Sequence, residues 1–93
     1  MQKEKVTIPM TTLDFYRYEK DGIIYYEFDA RECVAPEPML NTLHALRILK
    51  DEERLVGYYF HEPTPLYAKI ENFFSYEAQK VDDGDYKVTF KKI

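Results

Sequence analysis

Two segments of this chain pass from an apolar, strand-like run directly into prolines placed to open a helix. The first reads Asp29-Ala30-Arg31-Glu32-Cys33-Val34-Ala35-Pro36-Glu37-Pro38-Met39, the second His61-Glu62-Pro63-Thr64-Pro65-Leu66. Proline fixes φ and lacks an N–H, so it suits a first helical turn and is costly further in. Each segment is therefore a strand-to-helix junction. If the two preceding strands run parallel, both junctions reach one edge of the sheet, where open parallel α/β sheets bind their ligands. That edge is the candidate site, formed by Arg31, Glu32, Cys33, Pro36, Glu37 and Pro38 from the first junction and His61, Glu62, Thr64 and Pro65 from the second.

The rest of the pattern builds a fold around these junctions. Residues 12–18 and 23–28 are rich in aromatic and β-branched types and flank Glu19-Lys20-Asp21-Gly22, an Asp-Gly hairpin signal. A helix is predicted from about Pro36 to Lys50, with Met39, Leu43 and Leu46 as its buried stripe and Leu40 and Leu49 at the margins. After the polar break Asp51-Glu52-Glu53, Leu55 to Phe60 reads as a central strand. Thr64 as cap and Pro65 as opener predict a second helix ending near Phe74, with Leu66, Ile70 and Phe73 on its buried side. The tail reads as a hairpin, Tyr76 to Val81, a turn at residues 82–85, and Tyr86 to Lys91 with alternating polarity. Gly22, Gly57 and Gly84 are accounted for by turns or by a close approach within a strand.

The order β-β-α-β-α-β-β predicts an α+β fold. Two helices cannot cover both faces of a mixed sheet of about five strands, and right-handed crossovers put both on one side, giving a two-layer α/β sandwich. The other face is then open, with Tyr25, Glu27, Lys87, Thr89 and Lys91 predicted to line it. It is either a solvated surface or a docking surface for a partner or a second copy of the chain as a homodimer.

Composition narrows the class. At 93 residues the chain is expected to form one domain, 1–93, and Leu, Ile, Val and Phe make up about a quarter of it, enough for a core. A net charge of −4 and a pI near 5.1 argue against a general nucleic-acid binder, although local lysines could still form a basic patch. No apolar run approaches the roughly 20 residues of a membrane helix, and residues 1–5 mix both charge signs without an apolar stretch after them. With Cys33 the sole cysteine, no internal disulfide can form, and the expected compartment is cytoplasmic.

The junctions also carry a resemblance. Asp29-Ala30-Arg31 followed by Ala35-Pro36-Glu37-Pro38-Met39 resembles the Leu-Asp-x-Arg/Gly-x-x-Cys-Pro-x-Pro signature of the small TusA and SirA-like sulfur-carrier proteins. In that family the sulfur-bearing cysteine directly precedes the first proline; the matching position here is Ala35. His61-Glu62-Pro63-Thr64-Pro65-Leu66 is similar to the His-Asp-Pro-x-Pro-Leu segment of an uncharacterised branch, the domain of unknown function 2249 family, which generally lacks that cysteine. The resemblance spans about residues 23 to 93. It implies a β-α-β-α-β-β sheet whose last strand opposes the others, with strand 12–18 as an addition. It supplies no function, because the residue that carries persulfide is missing.

The chemistry at the edge is sparse. Cys33 lies near a helix start, where the dipole and Arg31 would favour thiolate and Glu32 would oppose it; it is either a displaced sulfur acceptor or an ordinary free cysteine. Arg31 either pairs with Asp29, Glu32 or Glu62, or holds an anion, although Pro36 and Pro38 strip that helix start of donors. His61 is either a proton carrier or a turn-organising residue bonded to a backbone carbonyl; a metal site would need Cys33 and Glu62 to converge with it. No Ser/His/Asp set, glycine-rich phosphate loop or paired-carboxylate motif stands out, so no metal or cofactor is implied. The expected function is a non-catalytic binding module for a protein or small ligand, with a persulfide relay through Cys33 as the alternative.

Overall fold

In the computed structural model, which describes residues 2–82 and 84–93, the elements follow the predicted order with one strand added at the start. They are β1 (Glu4–Val6), β2 (Phe15–Lys20), β3 (Ile23–Asp29), α1 (Glu37–Ile48), β4 (Arg54–Tyr59), α2 (Thr64–Ile70), β5 (Phe74–Lys80) and β6 (Tyr86–Lys92). The sheet is mixed and six-stranded, in the order β1-β2-β3-β4-β6-β5. Only β3 and β4 pair in parallel; the remaining pairs are antiparallel. β3, β4 and β5 therefore share a direction. The connections through α1 and α2 progress the same way across the sheet, so right-handed crossover puts both helices on one face. Among the described residues no helix is long and apolar enough to cross a membrane.

The β2–β3 hairpin turns on Asp21 and Gly22, both at positive φ (54° and 80°), the conformation for which Asp-Gly is favoured in a two-residue hairpin loop. The turn predicted at residues 82–85 includes Asp83, which lies outside the described residues. β1 escaped the sequence pattern because Glu-Lys-Val offers one apolar residue in three, too little for a periodicity to register.

The core lies between the sheet and the helices. Phe15, Phe28, Leu55, Val88 and Phe90 from the strands meet Ala45, Leu46, Leu66 and Ile70 from the helices, Leu49 beyond α1 and Ile8 from the β1–β2 loop. Two helix predictions need correction. On α1 the buried residues are Asn41, Thr42, Ala45 and Leu46, with Leu49 just past its end; Met39 and Leu43 are its half-buried margin and Leu40 is exposed. Two polar residues displaced leucines from the inner face because tertiary partners satisfy them. Asn41 Oδ1 accepts from the backbone N–H of Thr12 (2.8 Å) and Leu13 (3.1 Å), and its amide donates to Thr12 Oγ1 and the Glu37 carbonyl (both 2.9 Å). Thr42 donates to the Pro38 carbonyl (2.8 Å), leaving its oxygen to accept from the Tyr59 hydroxyl (2.7 Å).

α2 stops at Ile70, short of the predicted Phe74. The chain turns, Phe74 starts β5 with its side chain toward the core, and Phe73 is 68% exposed. Near Tyr59 the glycine of β4 has its reason. A Cβ on Gly57 would fall 2.5 Å from the Tyr59 hydroxyl, so only glycine lets that ring fold back over its own strand to reach Thr42.

Strand alternation and register put Tyr25, Glu27, Lys87, Thr89 and Lys91 on the face away from the helices, as expected. Tyr16, Tyr18, Arg54 and Tyr58 share that face.

Candidate functional site

The parallel pairing of β3 with β4, Asp29 opposite Tyr58, brings both carboxyl ends to one edge. Ala30 N–H extends that ladder to the Tyr58 carbonyl at 2.8 Å, and the chain then makes two tight turns, Cys33 N–H to Ala30 O (3.2 Å) and Glu37 N–H to Val34 O (3.1 Å), before α1 begins. The Ala35–Pro36 peptide is cis. The second junction closes with Thr64 N–H to Glu62 O (2.8 Å) and Leu66 N–H to Pro63 O (3.0 Å).

Between the junctions lies a cleft of about 500 Å³. Its lining is chiefly carbon: Val34, Pro36, Pro38 and Met39 on one side, Phe60, Pro63, Pro65 and Leu66 on the other, with Ala30 and Tyr59 at the base. Val34 and Phe60 are 79% and 56% exposed, an apolar rim facing solvent. The polar groups of the lining are Cys33, His61 and Glu62, besides the Tyr59 hydroxyl already held by Thr42.

Six of the ten predicted edge residues thus line one cavity: Cys33, Pro36, Pro38, His61, Glu62 and Pro65. The other four do not. Arg31 grips Asp29 through two side-chain bonds (Nε to Oδ1 2.9 Å, NH2 to Oδ2 2.7 Å), reaches Asp85 at 3.8 Å and lies 5.3 Å from the Tyr58 ring centroid, on the open face. Its reading as a local ion pair is the one the geometry bears out. That grip holds the Asp29 carboxyl below the usual range and raises the guanidinium further above its own. Glu32 is exposed. Glu37 accepts from the Thr12 hydroxyl at 2.6 Å and does not line the cleft. Thr64 is the first residue of α2 and makes no capping bond, because Pro63 occupies the position before the helix.

Cys33 and His61 are the two residues whose chemistry the sequence leaves open. Cys33 is half-buried, and its thiol pKa is pushed up, first by burial and then by the negative charge of Glu37. Arg31, expected to pull it down, is committed to Asp29. His61 is exposed, and its ring packs edge-on against Phe60 at 4.3 Å between centroids; backbone bonds hold its turn. Glu62 instead accepts from the Tyr67 hydroxyl at 3.2 Å; burial first, and then the Glu62 charge and this bond, raise that phenol's pKa. Among the described residues no group of three His, Cys, Asp or Glu side chains is arranged to hold a metal ion.

Val34, Met39 and Phe60 line the cleft without being among the site residues expected from the sequence, where Met39 counts as a core residue of the first helix, Phe60 as the end of a strand and Val34 as part of a connection. The available signal was the large apolar residues standing beside the prolines, where a connection exposed to water would carry polar ones.

A family model described as "Uncharacterized conserved protein (DUF2249)" matches residues 27–92. No curated protein and no solved structure matches the chain.

Proposed function

Because this chain belongs to the DUF2249 family of uncharacterised conserved proteins, which carries no activity to borrow, we propose from its own cleft that it is a non-catalytic module binding an apolar group of a ligand or partner protein between the two proline-opened helices. The observation that carries this reading is the carbon lining together with its exposed rim. A volume of about 500 Å³ lies within the range of ligand pockets, roughly 300–1,000 Å³. Val34 and Phe60 left in water beside it form the kind of apolar patch that marks an interaction surface. Cys33, His61 and Glu62 supply the few polar groups that would orient what binds.

The dye 1-anilinonaphthalene-8-sulfonate is a direct probe. Its fluorescence should rise with the native protein and fall back in Val34→Asp and Phe60→Ser, while amide shifts on titration should centre on residues 33–39 and 59–66. Shifts centred instead on the second apolar groove, around Leu43, Ile70 and Phe73, would sink the proposal.

The sulfur-carrier resemblance supports a second reading, a thiol or persulfide relay through Cys33, which has the residue's place on the cleft wall in its favour. The upward push on its thiol counts against it, since thiolate is the reactive form.

A further inference from the structure

The net charge of −4 is not spread evenly over the fold. On the open face the strands and the flanking Lys3 present six cations, Lys3, Lys5, Lys20, Arg54, Lys87 and Lys91. The carboxylates there are largely committed: Glu27 to Lys3 at 2.7 Å, Asp29 to Arg31 at 2.7 Å, and nearby Asp14 to Lys5 at 3.3 Å. Lys20, Arg54, Lys87 and Lys91 have no ion-pair partner among the described residues, against a single unpaired carboxylate, Glu77, on the outermost strand. The face is therefore basic on an acidic protein.

Its aromatic groups are ordered with respect to these charges. The pairing register places Lys91, Arg54, Tyr25 and Tyr18 side by side across β6, β4, β3 and β2. Tyr18 and Tyr25 are parallel-stacked at 5.1 Å, and Lys3 ends the row with its Nζ 5.1 Å from the Tyr18 ring centroid. With strands about 4.8 Å apart, this row runs roughly 20 Å across the sheet. Lys87 lies beside Tyr58 in a second row, and the guanidinium of Arg31 lies 5.3 Å from the Tyr58 ring centroid.

We propose that this open face binds single-stranded nucleic acid. Cations that track a phosphate backbone, flanking aromatic rings on which bases can stack, form the combination used for unpaired strands. A duplex keeps its bases stacked internally, beyond reach of the rings. An acidic peptide would engage the lysines and leave the tyrosine row without a role. A second copy, face to face, would set the same unpaired cations against one another. The site is separate from the cleft, and neither proposal depends on the other.

Fluorescence anisotropy of a labelled oligouridylate of about ten nucleotides, a length within the usual span of such sites, tests the idea at low salt. Binding should saturate and weaken with salt at a log–log slope near −2, about −0.7 for each of three phosphates neutralised. Lys87→Glu with Lys91→Glu should weaken it at least tenfold, as far as two lost phosphate contacts imply, and flatten the slope. Tyr25→Ala should cost roughly fivefold to a hundredfold, with Tyr25→Phe retaining most of the affinity. Phe60→Ala, in the cleft, should change nothing. No binding at low salt, equal displacement by polyglutamate, equal affinity for a duplex of the same length, or indifference to the lysine reversals would each overturn it.

Discussion

Cys33 and Glu37 show how a neighbour four positions along sets the chemistry of a residue. A thiol near a helix start is commonly lowered by the dipole, yet here Pro36 and Pro38 remove donors, burial penalises the thiolate, and Glu37 adds a facing negative charge. The group with a raised pKa stays protonated through neutral pH, so alkylation by iodoacetamide should climb only above the ordinary thiol range of about 8.5. Glu37→Gln removes the charge while keeping an acceptor for the Thr12 hydroxyl. The expected outcome is a downward shift of the rate profile and a faster reaction at pH 8, because removing the charge lowers the thiol pKa. An unchanged profile would mean that burial acts alone.

At the level of elements, α1 is held to the sheet by polar as much as by apolar contacts. Asn41 uses all four of its hydrogen-bonding positions, three of them on Thr12 and Leu13, and so ties the β1–β2 loop to the helix. Asn41→Leu keeps the volume and orphans two backbone donors. It should lower the urea-unfolding free energy by about 1–3 kcal/mol and speed hydrogen exchange at Thr12 and Leu13 before the rest of the sheet responds. Uniform acceleration across the sheet would show that the bonds support global stability rather than loop anchoring. This is also where pattern reading failed: a polar residue at a helical position registers as outward-facing, and nothing local to 37–48 announces a partner 29 residues earlier. α2 ran one turn too far in the prediction for a related reason, since Phe73 keeps helical spacing from Ile70 while its neighbour Phe74 is claimed by the sheet.

For the whole molecule, the segment matched by the family begins inside β3, leaving β1 and β2 beyond it. Those strands nonetheless share the core: Phe15 is stacked on Phe28 at 4.7 Å, and both are almost fully buried. Phe15→Ala should cost about 3–5 kcal/mol by chemical denaturation, and a chain begun at Ile23 should lose the dispersed amide spectrum of the intact protein. A cooperative unfolding transition in that fragment would reduce the two strands to a removable addition. The order of elements from β2 onward, the proline-opened helices, the Asp-Gly hairpin and the open face with Tyr25 and Lys87 were all legible along the chain. They rest on local dihedral preference and short-period hydrophobicity, which neighbouring residues suffice to express. The inner face of α1, the cleft built from Val34 and Phe60, the commitment of Arg31 to Asp29 and the basic tyrosine row across four strands were not. Each joins residues distant in sequence, and such contacts acquire geometry, burial and electrostatic consequence only when the strands take their register in the folded sheet.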